Sequence, residues 1–264
     1  MILQIIYALK NINYLLLAGH KNGHGIHSPF IFNLIKEVFN KKTIHPDLKD
    51  VLHLYSKIKS SKEPIESTYY GAGSVYSESK EMPLRLIAKR SGLPTKYGKL
   101  LFNLIQFAAP QTILELGTSV GISSLFIASA AKKADFFTIE GSLPKLTKAK
   151  ELADNLGLKN IHFINGNFDH VLEPVLAEIP KLDFVFIDGN HKKNPTLKYF
   201  ELCLNKSHPN SVFIFDDIHW SDEMENAWEE IKRNPKVRVS IDIFRMGIVF
   251  FRAELSYQHY VLKF

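Results

Sequence analysis

The sequence predicts an α/β fold in which a parallel, helix-covered sheet takes up an antiparallel strand near its end, behind a mainly helical N-terminal segment. Three observations predict it. From Thr112 onward, short apolar runs alternate with helix-like stretches. The runs are apolar on both faces, as strands covered by helices on each side require. The last two runs, 237–244 and 247–253, are joined only through Arg245, Met246 and Gly247, which is hairpin spacing, so one of them runs antiparallel.

The elements follow in order. TILELG (112–117) reads as a strand, and ISSLFIASAA (122–131) as a helix opened by a glycine-containing turn. DFFTIE (135–140) is a strand; Ser142 and Pro144 then give a helix start signal and Gly157 a stop. IHFING (161–166), LDFVFID (182–188) and SVFIFDD (211–217) are strands, separated by helices over 170–179 and 196–206. Asp222, Glu223 and Glu225 open a helix that Lys232, Arg233 and Pro235 close, the charge order a helix dipole favours. QHYVLKF (258–264) is a candidate edge strand. Residues 1–90 read as helical and irregular, with glycine-rich turns at 19–25 and 69–74, and the boundary to the main domain (91–264) falls near 85–95.

Composition narrows the function classes. At 264 residues with 45% hydrophobic and 23% charged residues, the chain has ample core for one large domain, or one domain with an appendage. A single cysteine, Cys203, excludes a disulfide framework and a cysteine-rich metal site, and suits a reducing, cytoplasmic setting. The net charge of +6 lies wholly in residues 1–90, with 13 Lys+Arg against 7 Asp+Glu, while the remainder balances at 20 each. Six charges over that length read as a solvated basic face before they read as a surface for an anionic partner or a membrane. The apolar start, MILQIIYALKNINYLLLAGH, is broken by Lys10, Asn11 and Asn13 and falls short of the roughly 18 apolar residues of a spanning helix. A helix packed on the main domain is expected there, with weak membrane-surface contact as the second reading.

Ligands of open α/β sheets sit beyond the C-terminal strand ends. The first such end is Glu115-Leu-Gly117-Thr118-Ser119-Val-Gly121, where Gly117 and Gly121 permit a tight turn before a helix with free N–H groups. A dinucleotide would call for G-x-G-x-x-G to carry a pyrophosphate; this loop is G-x-x-x-G. With Glu140 ending the next strand, where an acid suits a ribose diol, the pattern favours a nucleoside-bearing ligand without a pyrophosphate.

E-x-G-x-x-x-G, then Thr-Ile-Glu140-Gly141, INGNF (164–168), FIDGNH and FIFDD together resemble the class I S-adenosylmethionine-dependent methyltransferases, in particular the small-molecule O-methyltransferases of the catechol type and their bacterial relatives. The resemblance covers about 95–253 in order and spacing. It implies a Rossmann-like, doubly wound, seven-stranded sheet with an antiparallel last strand. It implies that Glu115, Gly117, Thr118, Ser119, Gly121 and Ser123 shape the pocket and hold the methionine moiety. Glu140 and Gly141 would take the ribose, and Asn167 and Phe168 would border the adenine, Phe168 departing from the small polar residue usual there. Tyr97 and Gly98 would fall where the entry helix touches the cofactor.

Relatives that use Mg²⁺ hold it with acids from two strand ends, so the implied ligands are Asp188, Asp216 and Asp217. Asp217 departs from the catechol-type pattern, in which the last ligand is an amide. Asp188 is also the acid that holds the cofactor's amino group in metal-free relatives. His191 stands where relatives carry the base that activates the acceptor hydroxyl, with Lys192 as competitor.

The leading expectation is therefore O-methylation of a small-molecule hydroxyl with S-adenosylmethionine, assisted by Mg²⁺. An RNA or other nucleic-acid methyltransferase and a non-catalytic cofactor-binding module are the alternatives. The strand end DGNH, in place of a Pro-Pro-aromatic motif, and the lone helical Cys203 argue against the first. The expected partner is a small-molecule acceptor; a homodimer is compatible, and residues 1–90 would serve as a lid, acceptor or partner segment. His20, His24 and His27 suggest a metal, but Gly23, Gly25 and Pro29 break any helix that would align them; His219 and Trp220 are candidates for the acceptor pocket, Trp220 equally for the core.

Overall fold

By packing, the chain divides into a unit of Lys41–Glu178 and a unit formed by Met1–Asn40 with Ile179–Phe264. This computed structural model describes residues 2–19, 23–67 and 80–264. His20 and the expected turn at 69–74 lie outside the described residues.

In the 41–178 unit, α3 (Pro46–Ile58) starts at His45, whose ring accepts the amide of Asp47 at 3.3 Å. A short antiparallel hairpin follows, β1 (Pro64–Ser67) with β2 (Lys80–Pro83), in register Pro64 to Pro83. The sequence reading held this stretch to be helical and irregular. The pair is too short for a visible period of two; Ile65, its buried residue, and the Glu63–Lys148 ion pair at 2.7 Å tie it down. Helices α4 (Leu84–Arg90) and α5 (Thr95–Ala108) lead to β3 (Thr112–Leu116), α6 (Ile122–Ala130), β4 (Asp135–Glu140), α7 (Leu143–Asp154), β5 (Ile161–Asn165) and α8 (Phe168–Glu178). β4 lies between β3 and β5, parallel to both. Every residue of α6 is buried, including Ser123, Ser124 and Ser129.

In the terminal unit, α1 is Ile2–Leu17 and α2 is Pro29–Leu34, the latter capped by Ser28 and continued by a π-helical turn, Ile35–Phe39. β6 (Phe184–Ile187), α9 (Lys193–Leu204), β7 (Val212–Phe215), α10 (Asp222–Arg233), β8 (Val239–Asp242), β9 (Gly247–Phe250) and β10 (Gln258–Val261) complete it. The strand order is β10-β8-β9-β7-β6. β9 alone of these runs antiparallel to its neighbours, and β10 pairs in parallel with β8. β10 is the candidate edge strand of the sequence, so apart from the β1–β2 hairpin the described strands number eight, three in one unit and five in the other, where seven were expected.

Phe184, Phe186, Phe213, Phe215 and Trp228 are each under 2% exposed. Each large side chain so buried contributes on the order of 2 kcal/mol relative to exposure. α10 presents Met224, Ala227, Trp228 and Ile231 to this core at helical spacing, and the Ser221 hydroxyl caps it by accepting the amide of Met224 at 3.2 Å.

α1 is docked, as the sequence favoured. Lys10 pairs with Asp222 and Glu225 at 2.9 Å each. The Tyr14 hydroxyl donates to the carbonyl of Leu262, and the Tyr7 ring lies 4.9 Å from that of Phe244. The opposite face leaves Leu9, Ile12, Leu16 and Leu17 exposed. Among the described residues no helix is long and apolar enough to cross a membrane.

Candidate active site

The turn after β3 is built on left-handed backbone: Gly117 has φ 106°, Ser119 φ 48° and Gly121 φ 84°. The amides of Gly117 and Thr118 both donate to the carbonyl of Ile139, which stitches the turn to β4. A Cβ on Gly121 would stand 2.8 Å from that of Ala149 in α7, so only glycine lets α6 begin there. No side chain caps the start of α6, and its first amides remain available to a ligand.

Glu140, at the end of β4, is the organised acid of this turn. Its Oε2 accepts the amide of Ser119 and its Oε1 the amide of Ser142, each at 2.8 Å. Each oxygen keeps a second lone pair for a hydroxyl. Asn165 supports the same corner through Nδ2, which donates to the carbonyls of Glu140 at 2.8 Å and Gly141 at 3.1 Å. The Ser119 and Ser91 hydroxyls share a hydrogen bond at 2.8 Å. Lys145 is largely buried nearby, its amine pKa lowered by desolvation against the opposing pull of Glu140. Asn165, Ser91 and Lys145 were not in the sequence-derived set; only the Asn in ING hinted at the first.

Other members of the expected cofactor set turn inward. Glu115 is fully buried: Oε2 accepts the hydroxyls of Ser124 and, at 2.6 Å, Thr138, while Oε1 has no partner among the described residues. Burial raises its pKa, with hydroxyls of Ser123, Ser124 and Thr138 opposing the rise. The Thr118 hydroxyl is likewise buried against Thr138, at 2.6 Å. The side chains of Glu115 and Thr118 therefore brace the turn from inside. Gly98 is buried, and a Cβ there would lie 2.5 Å from the Phe126 ring, so it serves the α5–α6 contact; Tyr97 beside it is half-buried. Asn167 begins α8: its Oδ1 accepts the amide of Asp169 at 2.9 Å, and half-buried Phe168 is the first helical residue.

In the terminal unit β6 stops at Ile187, and the turn Asp188-Gly-Asn-His passes through left-handed Asn190 (φ 66°) and His191 (φ 31°). Two adjacent non-glycine residues in that region hold a constrained turn. Asn190 Nδ2 donates to the Tyr199 hydroxyl at 3.1 Å. The turn sets His191 Nε2 3.5 Å from Asp188 Oδ1, with both side chains partly exposed. Lys192 is the residue that caps α9, in extended backbone.

Asp216 continues the ladder one residue past β7, donating its amide to Ile187 at 2.9 Å. Its carboxylate is buried and gripped by Arg245, from Nε at 2.9 and 3.1 Å and from Nη2 at 2.6 Å. This is the two-pronged geometry in which a guanidinium matches a carboxylate. Arg245 Nε also stands 3.7 Å from Asp217 Oδ1. Burial pushes Asp217 up to about 6, and the Asp216 charge adds to the rise while Arg245 and His191 oppose it.

This arrangement does not fit Mg²⁺ on Asp188, Asp216 and Asp217. Two like charges some 4 Å apart repel by about 4 kcal/mol at the effective dielectric of a protein surface. Arg245 already supplies the positive charge there. No group of three metal-ligating side chains is assembled among the described residues, which covers His24 and His27 as well.

His219 bridges two carboxylates. Nδ1 meets Glu225 and Nε2 meets Asp242, both at 2.8 Å, and the ring stacks on Phe244 at 5.4 Å. Desolvation alone would lower its pKa; Asp242 and Glu225 outweigh it and raise the value. Trp220 is 51% exposed, with Tyr7 edge-on at 5.7 Å.

Comparison with known proteins agrees with this geometry. Residues 114–218 match the family described as a methyltransferase domain. A catechol O-methyltransferase of Niastella koreensis is 30% identical over 124 residues, covering 46% of this chain and 55% of that one. The match thus spans little more than half of that relative. An O-methyltransferase from Bacillus cereus, solved in complex with SAH, superposes with a TM-score of 0.56 at 19% identity, covering 79% of this chain and 92% of that one. An SAH-bound methyltransferase of Podospora anserina gives 0.59 at 12% identity, over 86% and 97%. These two share the fold: a Rossmann-like, mostly parallel sheet between helices.

Proposed function

We propose, from the premise that this chain carries a methyltransferase domain over residues 114–218, that it transfers a methyl group from S-adenosylmethionine to a hydroxyl oxygen of a small molecule. The observation that carries the reading is Glu140, a strand-end carboxylate whose two oxygens are each aimed by a backbone amide. Such an acid is set to receive a pair of vicinal hydroxyls. The left-handed turn Gly117–Gly121 keeps side-chain bulk away from the open start of α6, and Ser119 places a hydroxyl beside it that is shared with Ser91.

The donor supplies a methyl carbon on a sulfonium, and the carbon–sulfur pair returns to sulfur as the oxygen–carbon bond forms. The acceptor must lose its proton for this. A phenol with a pKa near 10 is a poor nucleophile at neutral pH until a base takes that proton. His191 is assigned this role, its Nε2 oriented by Asp188 at 3.5 Å; Lys192 is the alternative base. The single buried cysteine supports a reducing, cytoplasmic setting, and residues 1–90 are assigned to acceptor or partner contacts.

Titration calorimetry with S-adenosylmethionine tests the reading. Saturable binding that Glu140→Ala weakens by on the order of 10- to 100-fold is the expected result. The absence of any heat with the unmodified protein would defeat it.

A further inference from the structure

The acid cluster of the terminal unit is short of negative charge to give away. Asp216 is wholly buried, and both its oxygens are taken by one guanidinium. Arg245 sits in the link between β8 and β9, and its carbonyl accepts the amide of Ile218 at 3.2 Å, so the hairpin tip is clipped to the turn that follows Asp216. The side chain is 19% exposed, and its charge acts on Asp217 and Asp188 as well. Among the described residues, Nη1 makes no hydrogen bond.

We infer that Arg245 is the resident cation of the Asp188–Asp216–Asp217 cluster, taking the place of a divalent metal and keeping one out. A metal would have to displace the guanidinium from a buried carboxylate, which leaves the arginine without its partner, or lie beside a fixed positive charge. Neither is favourable. A guanidinium also stays charged across the working range of pH and presents its remaining donors in a fixed plane. Nη1 is thereby a standing donor toward an anionic oxygen, which an ordinary Mg²⁺ site supplies only when loaded. The purpose of the cluster rests on the methyl-transfer reading; the exclusion of the metal does not.

The test is Mn²⁺ binding to the full chain, followed by the loss of the free-ion paramagnetic resonance signal. The unmodified protein should show no saturable binding. Arg245→Met should show saturable Mn²⁺ binding, since the buried Asp216 carboxylate then loses the guanidinium that holds both its oxygens. Asp188→Asn in that background should remove the gain. Arg245→Lys, which retains the charge, should stay metal-free even if the methionine variant fails to fold. Saturable Mn²⁺ binding to the unmodified protein that Asp216→Asn abolishes would overturn the inference, as would a folded Arg245→Met that binds no Mn²⁺. S-adenosylmethionine calorimetry on the same samples, without metal, reports separately on the methyl-transfer reading.

Discussion

Glu140 and Ser119 meet through a single 2.8 Å bond from a backbone amide to Oε2, although they lie on consecutive strand ends of the 41–178 unit. With the matching bond from Ser142, this leaves the carboxylate one orientation. Glu140→Ala should weaken S-adenosylmethionine binding by on the order of 10- to 100-fold, because hydrogen bonds to a charged group are worth about 1.5–3 kcal/mol. Calorimetry measures it. Glu140→Gln should fall between, since an amide can accept one of the two backbone bonds and must turn its NH₂ toward the other donor.

Arg245 and Asp216 form a buried pair, and removing one partner leaves an uncompensated charge. Arg245→Leu should cost about 3–5 kcal/mol of stability in urea unfolding. The double variant with Asp216→Leu should recover much of that loss. If the double variant is as unstable as the single, the pair contributes through something other than charge.

His219 links β8 and α10 through Asp242 and Glu225. Its pKa is raised in the folded state from the ordinary 6.5. A raised histidine binds its proton more tightly when folded, so the stabilisation is complete below about 6.5 and fades as the pH rises through the folded-state value. This contribution to the unfolding free energy should therefore decline as the pH rises above about 6.5 in the unmodified protein. His219→Gln should be less stable at pH 6 and show a flatter profile.

Gly121 and Gly157 separate two costs. Both have left-handed backbone, φ 84° and 65°. At Gly121 a Cβ would stand 2.8 Å from Ala149; at Gly157 nothing lies within 4 Å. Gly157→Ala should lose about 1–2 kcal/mol from the backbone alone, and Gly121→Ala distinctly more. Thermal melts of the two variants decide it.

Much of the architecture was legible in the order of residues. The runs at 112–117, 182–188 and 211–217 are buried along the strand, as their apolar residues on both faces indicate, while 161–165 is only partly buried. The β8–β9 hairpin announced itself by its short link, and Glu140 by its place at a strand end. The β1–β2 pair was not legible, since four residues a side carry too little pattern. Nor were the roles of Glu115, Thr118 and Gly98, which depend on what packs over them.

From Thr112 onward the sequence by itself determined which segments are strands and helices, and that carboxylates stand at strand ends, because periodicity and capping are local properties of the chain. What each carboxylate faces was decided only in three dimensions. Asp216 reads as a metal ligand beside Asp217, yet its partner is Arg245, 29 residues away, delivered by a hairpin tip. His219 reads as a pocket residue, and its ring bridges Asp242 of β8 and Glu225 of α10. Charge pairing acts over a few ångströms of space, and neighbours along the chain do not reveal which distant side chain will occupy them.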